Sequence, residues 1–156
     1  KAAARLSEAF RTRKVEKAYL AAVEGVPEEP EATLEHYLRK DERHRKVHAT
    51  HEGHPDSQLA RLSYRVIARG SGISLLEVQL DTGRKHQIRV QLAKLGHPMV
   101  GDRKYGSSME LASGIALHAR RVALEHPVRK ERLTVEAPLP PAWRRHKAIA
   151  PLIERL

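Results

Sequence analysis

The chain has 156 residues, enough for one domain with its own hydrophobic core, and it contains no cysteine, which excludes disulfides and thiolate metal sites. No run of about 18 apolar residues is present, so the sequence predicts no membrane-spanning helix. Its 29 lysines and arginines outnumber the 19 acidic residues by ten, which indicates a polyanionic partner, with nucleic acid favoured over a basic but inert surface.

A helix and a strand are predicted first. Leu6 and Phe10 are four residues apart among alanines, which predicts a helix through about Arg11. No capping residue precedes this helix, so we expect the natural protein to extend upstream. Residues 18–25 alternate between two faces, with Tyr19 on one of them, which predicts a strand that Gly25 ends. For Tyr19, a place at the edge of the core is the commoner outcome.

A polar, histidine-rich segment follows at residues 34–58. Imidazoles can bind zinc or nickel, but no carboxylate or thiolate of known spacing accompanies them. A basic hairpin that contacts RNA phosphates is therefore favoured over a metal site. The histidines are His44, His48, His51 and His54, and the cations among them are Arg39, Lys40, Arg43, Arg45 and Lys46.

The centre of the chain predicts a hairpin followed by a helix. Residues 62–67 and 75–80 alternate and flank a Gly-Ser-Gly turn, which is typical of two antiparallel strands. After Thr82-Gly83 the spacing changes, because Ile88, Leu92 and Leu95 lie on one helical face and Gly96 follows as a stop.

The turn before this helix is either an anion site or a plain hairpin-to-helix junction with solvated cations, and the sequence alone favours neither. Gly83 permits a tight turn, residues 85–87 offer backbone amides at a helix N-terminus, and Arg84 and Lys85 add charge. Arg89 lies at the edge of the apolar stripe and would be partly buried, so it needs an acidic partner. Asp81 and Asp102 are the local candidates.

A second loop supplies His97, Asp102 and Tyr105. His97 and Asp102 could form an acid–base pair, but a structured turn in which Asp102 caps backbone amides is favoured. An ordered segment starts at Ile115, a strand is expected at 132–137, and the tail from Trp143 onward is expected to be helical with a disturbance at Pro151. Helices and strands do not alternate regularly, so the predicted fold class is α+β.

Several motifs together resemble the RluA-type pseudouridine synthases. They are Lys17-Ala-Tyr19-Leu-Ala-x-Val-x-Gly25, Thr82-Gly-Arg-Lys-His-Gln-Ile-Arg89-Val, Gly96-His-Pro-x-x-Gly-Asp-x-x-Tyr105-Gly, Leu117-His-Ala and His126-Pro. The resemblance implies a long, mostly antiparallel mixed sheet flanked by helices. It also implies an isomerase that converts uridine to pseudouridine in ribosomal or transfer RNA, in the cytoplasm, without cofactor or metal.

The resemblance also implies roles for individual residues. Tyr19 would pack on the target base, Leu117 would press on the base or on Tyr19, and Arg89 would pair with the catalytic aspartate. The residues implied in RNA binding or in shaping the pocket wall are Lys17, Arg84, Lys85, His86 and Gln87.

The family's catalytic aspartate lies in a His-Arg-Leu-Asp-x-x-Thr-Ser-Gly segment that these 156 residues do not contain. Arg89 is therefore expected to lack its family partner in this chain. The chain, residues 1–156, is expected to be the C-terminal two-thirds of a catalytic domain and inactive alone. Two departures are smaller: Gln91 replaces a usual histidine, and Leu62-Ser63 a threonine. The alternatives are a non-catalytic RNA-binding module and, less favoured, a metal-dependent RNA-processing enzyme that uses the histidines.

Overall fold

Seven strands and four short helices carry the fold in the computed structural model, which describes residues 1–156. In chain order they are α1 (Ala2–Arg11), β1 (Glu16–Glu24), β2 (Glu31–Asp41), β3 (Lys46–Thr50), β4 (Ser57–Arg69), β5 (Ile73–Leu80), α2 (Gln87–Lys94), β6 (Leu117–Glu125), β7 (Arg132–Glu136), α3 (Pro141–Arg145) and α4 (Ala150–Ile153). A single 3-10 turn, Arg103–Tyr105, lies between α2 and β6.

The strands form one sheet in the order β3-β2-β4-β5-β1-β6-β7, and every neighbouring pair is antiparallel. This confirms the α+β class and the long antiparallel sheet. The predicted basic hairpin is the β2–β3 pair, which closes where Asp41 faces Lys46. No helix has the length and apolar character needed to cross a membrane.

The central strands are buried on both faces of the sheet. On one face, here called the front, Leu76 and Val78 of β5 pack with Ile88 and Leu92 of α2. On the other face, the back, the intervening Leu75 packs with residues of α3 and α4. Successive side chains of a strand point to opposite faces, so the apolar run of β5 serves two cores. Leu80 packs against the same front core as Leu76 and Val78, as the predicted alternation of residues 75–80 requires.

The C-terminal tail differs from the single disturbed helix that was expected. It forms two short helices, α3 and α4, and the break lies at residues 146–149 rather than at Pro151. Pro151 lies in the first turn of α4, where its missing N–H has no intrahelical partner to lose. Together Trp143, Ile149 and Leu152 cover the back of the sheet.

We expect Trp143→Ala to lower the free energy of unfolding by about 3–5 kcal/mol, because the indole is 1% exposed and its removal leaves a cavity in the back core. Urea titration followed by circular dichroism measures this. Val135→Ala on the edge strand β7, where the side chain is 54% exposed, is the control and should stay within about 0.5 kcal/mol of wild type. Equal effects of the two changes would contradict the proposed packing of the tail.

Candidate active site

Tyr19 and Leu117 meet at the front of the sheet. Tyr19 lies on β1 opposite Val78 of β5 and Ala119 of β6, while Leu117 begins β6 opposite Ala21. The two side chains are therefore diagonal neighbours on adjacent strands, within reach of each other. Both are partly buried and pack against the front core. The sheet thus brings two of the three residues expected in catalysis onto one wall.

A cleft of about 230 Å3 opens at the start of β1, where Lys17 lines it two residues before Tyr19. Lys17 lies two residues before Tyr19 on the same face of β1, and its Nζ lies 5.0 Å from the centroid of the Phe10 ring. The cation–ring contact draws the C-terminal end of α1 toward the start of β1. The cleft therefore joins an apolar wall to a cationic rim. Its lining residues are Phe10, Arg13, Val15, Lys17, Leu80, Thr82 and Gly83.

Gln87 holds the turn that forms the far wall of this cleft. Its Oε1 accepts hydrogen bonds from the Thr82 hydroxyl at 2.8 Å and from the Arg84 amide at 2.9 Å. Its Nε2 donates to the Arg61 carbonyl at 3.0 Å. The side chain is only 2% exposed, which favours its expected role in shaping the pocket wall over a contact with RNA. Its amide group instead supplies the buried backbone with hydrogen-bond partners and fixes the turn.

Arg84 and Lys85 lie on the outer side of the same turn. Arg84 Nε donates to the Leu59 carbonyl at 2.9 Å, and Lys85 Nζ lies 3.9 Å from a carboxylate oxygen of Glu42. The Lys85–Glu42 pair is solvent-exposed and therefore weak, so Lys85 remains available to a phosphate. The backbone amides of residues 85–87 were expected to be free to bind an anion. The Gln87 amide is not free, because it donates to the Arg84 carbonyl.

Arg89 forms a two-point ion pair with Asp102. Its Nε donates to Oδ2 at 2.9 Å and its Nη2 donates to Oδ1 at 2.8 Å. The side chains are 20% and 1% exposed, respectively. Of the two local candidates, Asp102 is confirmed, while Asp81 pairs with Arg61. Arg89 was expected to lack its family partner, and this pair shows that the chain supplies a carboxylate to it from the loop at 96–107.

Tyr105 links this ion pair to the basic hairpin, a role for which the sequence carried no specific signal. Its ring centroid lies 4.9 Å from Arg89 Cζ. Its hydroxyl oxygen accepts a hydrogen bond from the Val47 amide of β3 at 2.9 Å and lies 2.7 Å from His86 Nδ1. Since the phenol can accept from one group while donating to another, it can join β3 to the start of α2.

These surroundings favour the neutral form of His86. Burial lowers its pKa, and the positive charges of Arg89, Lys85 and Lys104 lower it further. Its backbone has φ of 54°, the left-handed conformation, just before α2 begins. A neutral imidazole whose Nδ1 accepts the Tyr105 proton fits both observations. His86 thus lies between the cleft and the hairpin.

The proposed pairing of His97 with Asp102 is not present. His97 Nδ1 donates to the Glu24 carbonyl at 2.8 Å, which fastens the loop after α2 to the end of β1. The structured turn that was favoured instead is present, with Asp102 directly before it, but the Asp102 side chain caps no backbone amide because Arg89 occupies its carboxylate. The partial burial of Arg89 was the sequence signal that indicated this partner.

The four histidines of the hairpin do not converge. His44 Nδ1 and His48 Nε2 are both hydrogen-bonded to Asp41 Oδ2, at 2.8 and 3.0 Å. These hydrogen bonds lower the pKa of Asp41. His51 and His54 stack edge-to-face at 5.8 Å. Across residues 1–156, no group of three or more histidine, cysteine or acidic side chains is placed to hold a metal ion. The structure therefore gives the histidines an organising role at the end of the hairpin.

The family model described as RNA pseudouridylate synthase matches residues 1–94, more than half of the chain. The chain belongs to this family. A protein of Bacillus subtilis named an uncharacterized RNA pseudouridine synthase is 36% identical over 140 residues, which cover 86% of this chain and 44% of the relative. A protein of Chloroflexus aurantiacus with the same description is 42% identical over 131 residues, covering 82% and 40%. The chain thus spans less than half the length of these relatives.

A solved structure agrees with the family assignment. The human RNA pseudouridylate synthase domain containing 1 superposes with a TM-score of 0.75 at 28% identity, over 88% of this chain and 60% of that one. Because the match spans most of the chain, the seven-stranded sheet is the pseudouridine synthase fold. The resemblance of the motifs to the RluA type is confirmed by the family model and the named relatives.

The lowered pKa of His86 predicts a pH-dependent stability. The unfolded imidazole binds a proton near its ordinary pKa of about 6.5, whereas the folded one resists it. Stability is therefore lost as pH falls through about 6.5 toward the lowered folded pKa. We expect His86→Asn, which tolerates the left-handed backbone, to flatten this loss in urea titrations between pH 7.5 and about 5.

Direct titration of the His86 ring by NMR is the companion measurement. Lys104→Gln should return the pKa of His86 part of the way toward its ordinary value, because one repelling charge is removed. A wild-type pKa at or above about 6.5 would contradict this description of the network.

Proposed function

We propose that this chain is the C-terminal two-thirds of a pseudouridine synthase catalytic domain, acting in the cytoplasm on uridine in ribosomal or transfer RNA. The observation that carries the proposal is the front wall, where Tyr19 and Leu117 lie on neighbouring strands and β1 leads from Tyr19 to the cationic cleft at Lys17, in a chain of this family. In full-length form the protein would isomerise uridine. The 156-residue chain, which has no match to the family's catalytic aspartate segment, would bind RNA without turnover.

The chemistry breaks the bond between ribose C1′ and uracil N1 and forms one between C1′ and C5. The proton displaced from C5 leaves to solvent, and N1 gains a proton, so atoms balance without a cofactor. The base must leave its stack to reach the cleft. We assign Tyr19 to packing against the flipped base, Leu117 to supporting it, and Arg89 to orienting the catalytic carboxylate.

Charged side chains around the cleft would supply the energy for deforming the RNA. Lys17 lines the cleft, Arg84 and Lys85 follow its lining residue Gly83 on the outer side of the turn, and the cations of the β2–β3 hairpin extend the positive surface beyond it. The hairpin is tied down by the Val47–Tyr105 hydrogen bond and by Lys104 Nζ, which donates to the Arg45 carbonyl at 2.8 Å. A fixed basic surface of this kind binds phosphates with little ordering cost.

Tritium release from RNA labelled at uridine C5 tests the activity. We expect none from the 156-residue chain and steady release from a longer protein from the same reading frame that carries a His-Arg-Leu-Asp segment. In that longer protein, Tyr19→Phe should lower kcat by about 100-fold or more, because we assign the Tyr19 hydroxyl to removal of the C5 proton in addition to the packing of the ring. Tyr37→Phe on the hairpin is the matched control and should leave kcat unchanged. Turnover by the short chain would contradict the proposal, and a frame without that segment would favour the RNA-binding module.

The salt dependence of RNA binding tests the cationic cleft. Measured by fluorescence anisotropy between 50 and 200 mM KCl, the affinity of the chain for a structured RNA should fall steeply as counterions are released. Lys17→Gln with Lys85→Gln should reduce the slope of log affinity against log salt by about 2, one for each lost phosphate contact. Lys147→Gln, exposed beside α3 on the back, is the control. Equal slopes for the two variants would exclude phosphate contacts at the cleft.

A further inference from the structure

The guanidinium of Arg89 uses only one of its two double-donor edges. The side edge, formed by Nε–H and one Nη2–H, is occupied by Asp102. The end edge, formed by Nη1 and the other Nη2–H, donates to no protein atom among residues 1–156. A guanidinium can bind one carboxylate at each edge. The Arg89 side chain is still 20% exposed, whereas the Asp102 side chain is only 1% exposed.

We propose that Asp102 is a positioning residue. It binds the side edge of the Arg89 guanidinium and thereby orients the end edge toward a second carboxylate, which is the catalytic aspartate of the full domain. The inference rests on the proposed function and gives Asp102 a role beyond its place at the start of the turn at residues 103–105. Asp102 itself would touch neither RNA nor the reacting atoms.

The backbone around Asp102 is fixed well enough to serve this role. Gly101 has φ of +84°, and a side chain there would approach the Gly114 carbonyl oxygen to 2.8 Å. The Asp102 amide donates to the Met99 carbonyl at 3.0 Å, and the Asp102 carbonyl accepts from the amides of Tyr105 and Ser107. The loop backbone therefore holds the Asp102 carboxylate in one fixed direction.

The orientation of the guanidinium plane is fixed from a second side. The Tyr105 ring lies 4.9 Å from Arg89 Cζ, and its hydroxyl is anchored by the Val47 amide. Two carboxylates on one arginine leave a net negative charge, and cations nearby offset it. Lys46 Nζ lies 5.4 Å from the same ring, and Lys85 and Lys104 are close enough to lower the pKa of neighbouring His86. The site is thus prepared for one more anionic group.

The first test uses the 156-residue chain and formate as the carboxylate probe, with Arg side-chain resonances followed by 15N NMR. In wild type, formate should shift the Nη signals of Arg89 and leave its Nε–H in place. In Asp102→Asn, formate should also move the Nε–H, because the side edge is open. Displacement of the wild-type Nε–H, or no Nη shift at Arg89 while the exposed Arg144 responds, would overturn the proposal. Arg89→Lys identifies the signals.

The second test measures turnover in the longer protein. Asp102→Asn should lower kcat about 10- to 100-fold and leave KM for RNA within about threefold, since misaiming a catalytic group costs rate rather than binding. Asp102→Glu should recover part of kcat. An unchanged kcat in Asp102→Asn would overturn this inference and leave the proposed function standing.

The two tests separate the inference from the function it rests on. A lack of turnover in the wild-type longer protein would overturn the proposed function. The formate experiment would still show which edge of the Arg89 guanidinium binds a carboxylate. If Asp102→Asn does not fold, the wild-type formate titration remains decisive because it needs no variant.

Discussion

The buried carboxylate of Asp102 is the constraint on which the front of the molecule depends. An ionised group at 1% exposure requires a charged partner and full hydrogen bonding, or its burial would cost several kcal/mol. Arg89 meets that requirement, and its place in α2 then fixes how the helix is rotated on the sheet. The same contact places Tyr105 over the guanidinium and, through Val47 and His86, joins the basic hairpin to the helix. One ion pair thus connects three parts of the site.

The sheet separates stability from function. The back core, with Trp143 and the short C-terminal helices, buries apolar area without polar groups in need of special geometry. The front core holds α2, and the first residues of the polar turn at 82–87 line the cleft at the start of β1. Because β1 and β5 are shared by both cores, the front wall is held on a rigid support, which is what a site that must grip a flipped base requires.

Much of the fold follows from local patterns in the sequence. The alternation in β5 and the helical spacing of Ile88 and Leu92 are short-range signals, and both elements form as they predict. Pro151 was expected to disturb a helix, but it lies in the first turn of α4, where proline is tolerated. Where α4 begins depends on how Trp143 and Ile149 pack. That packing is tertiary, and the local pattern does not record it.

The sequence also predicted part of the candidate site. The helical angle of Arg89 indicated an acidic partner, but the choice of Asp102 over Asp81 depends on how the loop at 96–107 folds back onto α2. Gln87 was expected to shape the pocket wall or to contact RNA, and its burial depends on the carbonyl of Arg61, on a strand distant in sequence. The link through Tyr105 joins three separate segments, and no spacing rule within one segment could reveal it.

The most direct test of the front cleft as the RNA site is photo-crosslinking with RNA that carries 4-thiouridine at single positions, followed by mass spectrometry of the attached peptides. Crosslinks should fall in residues 13–19, 80–89 and 117–119, around Tyr19 and Leu117. Crosslinks confined to residues 141–155 on the back of the sheet would contradict the assignment.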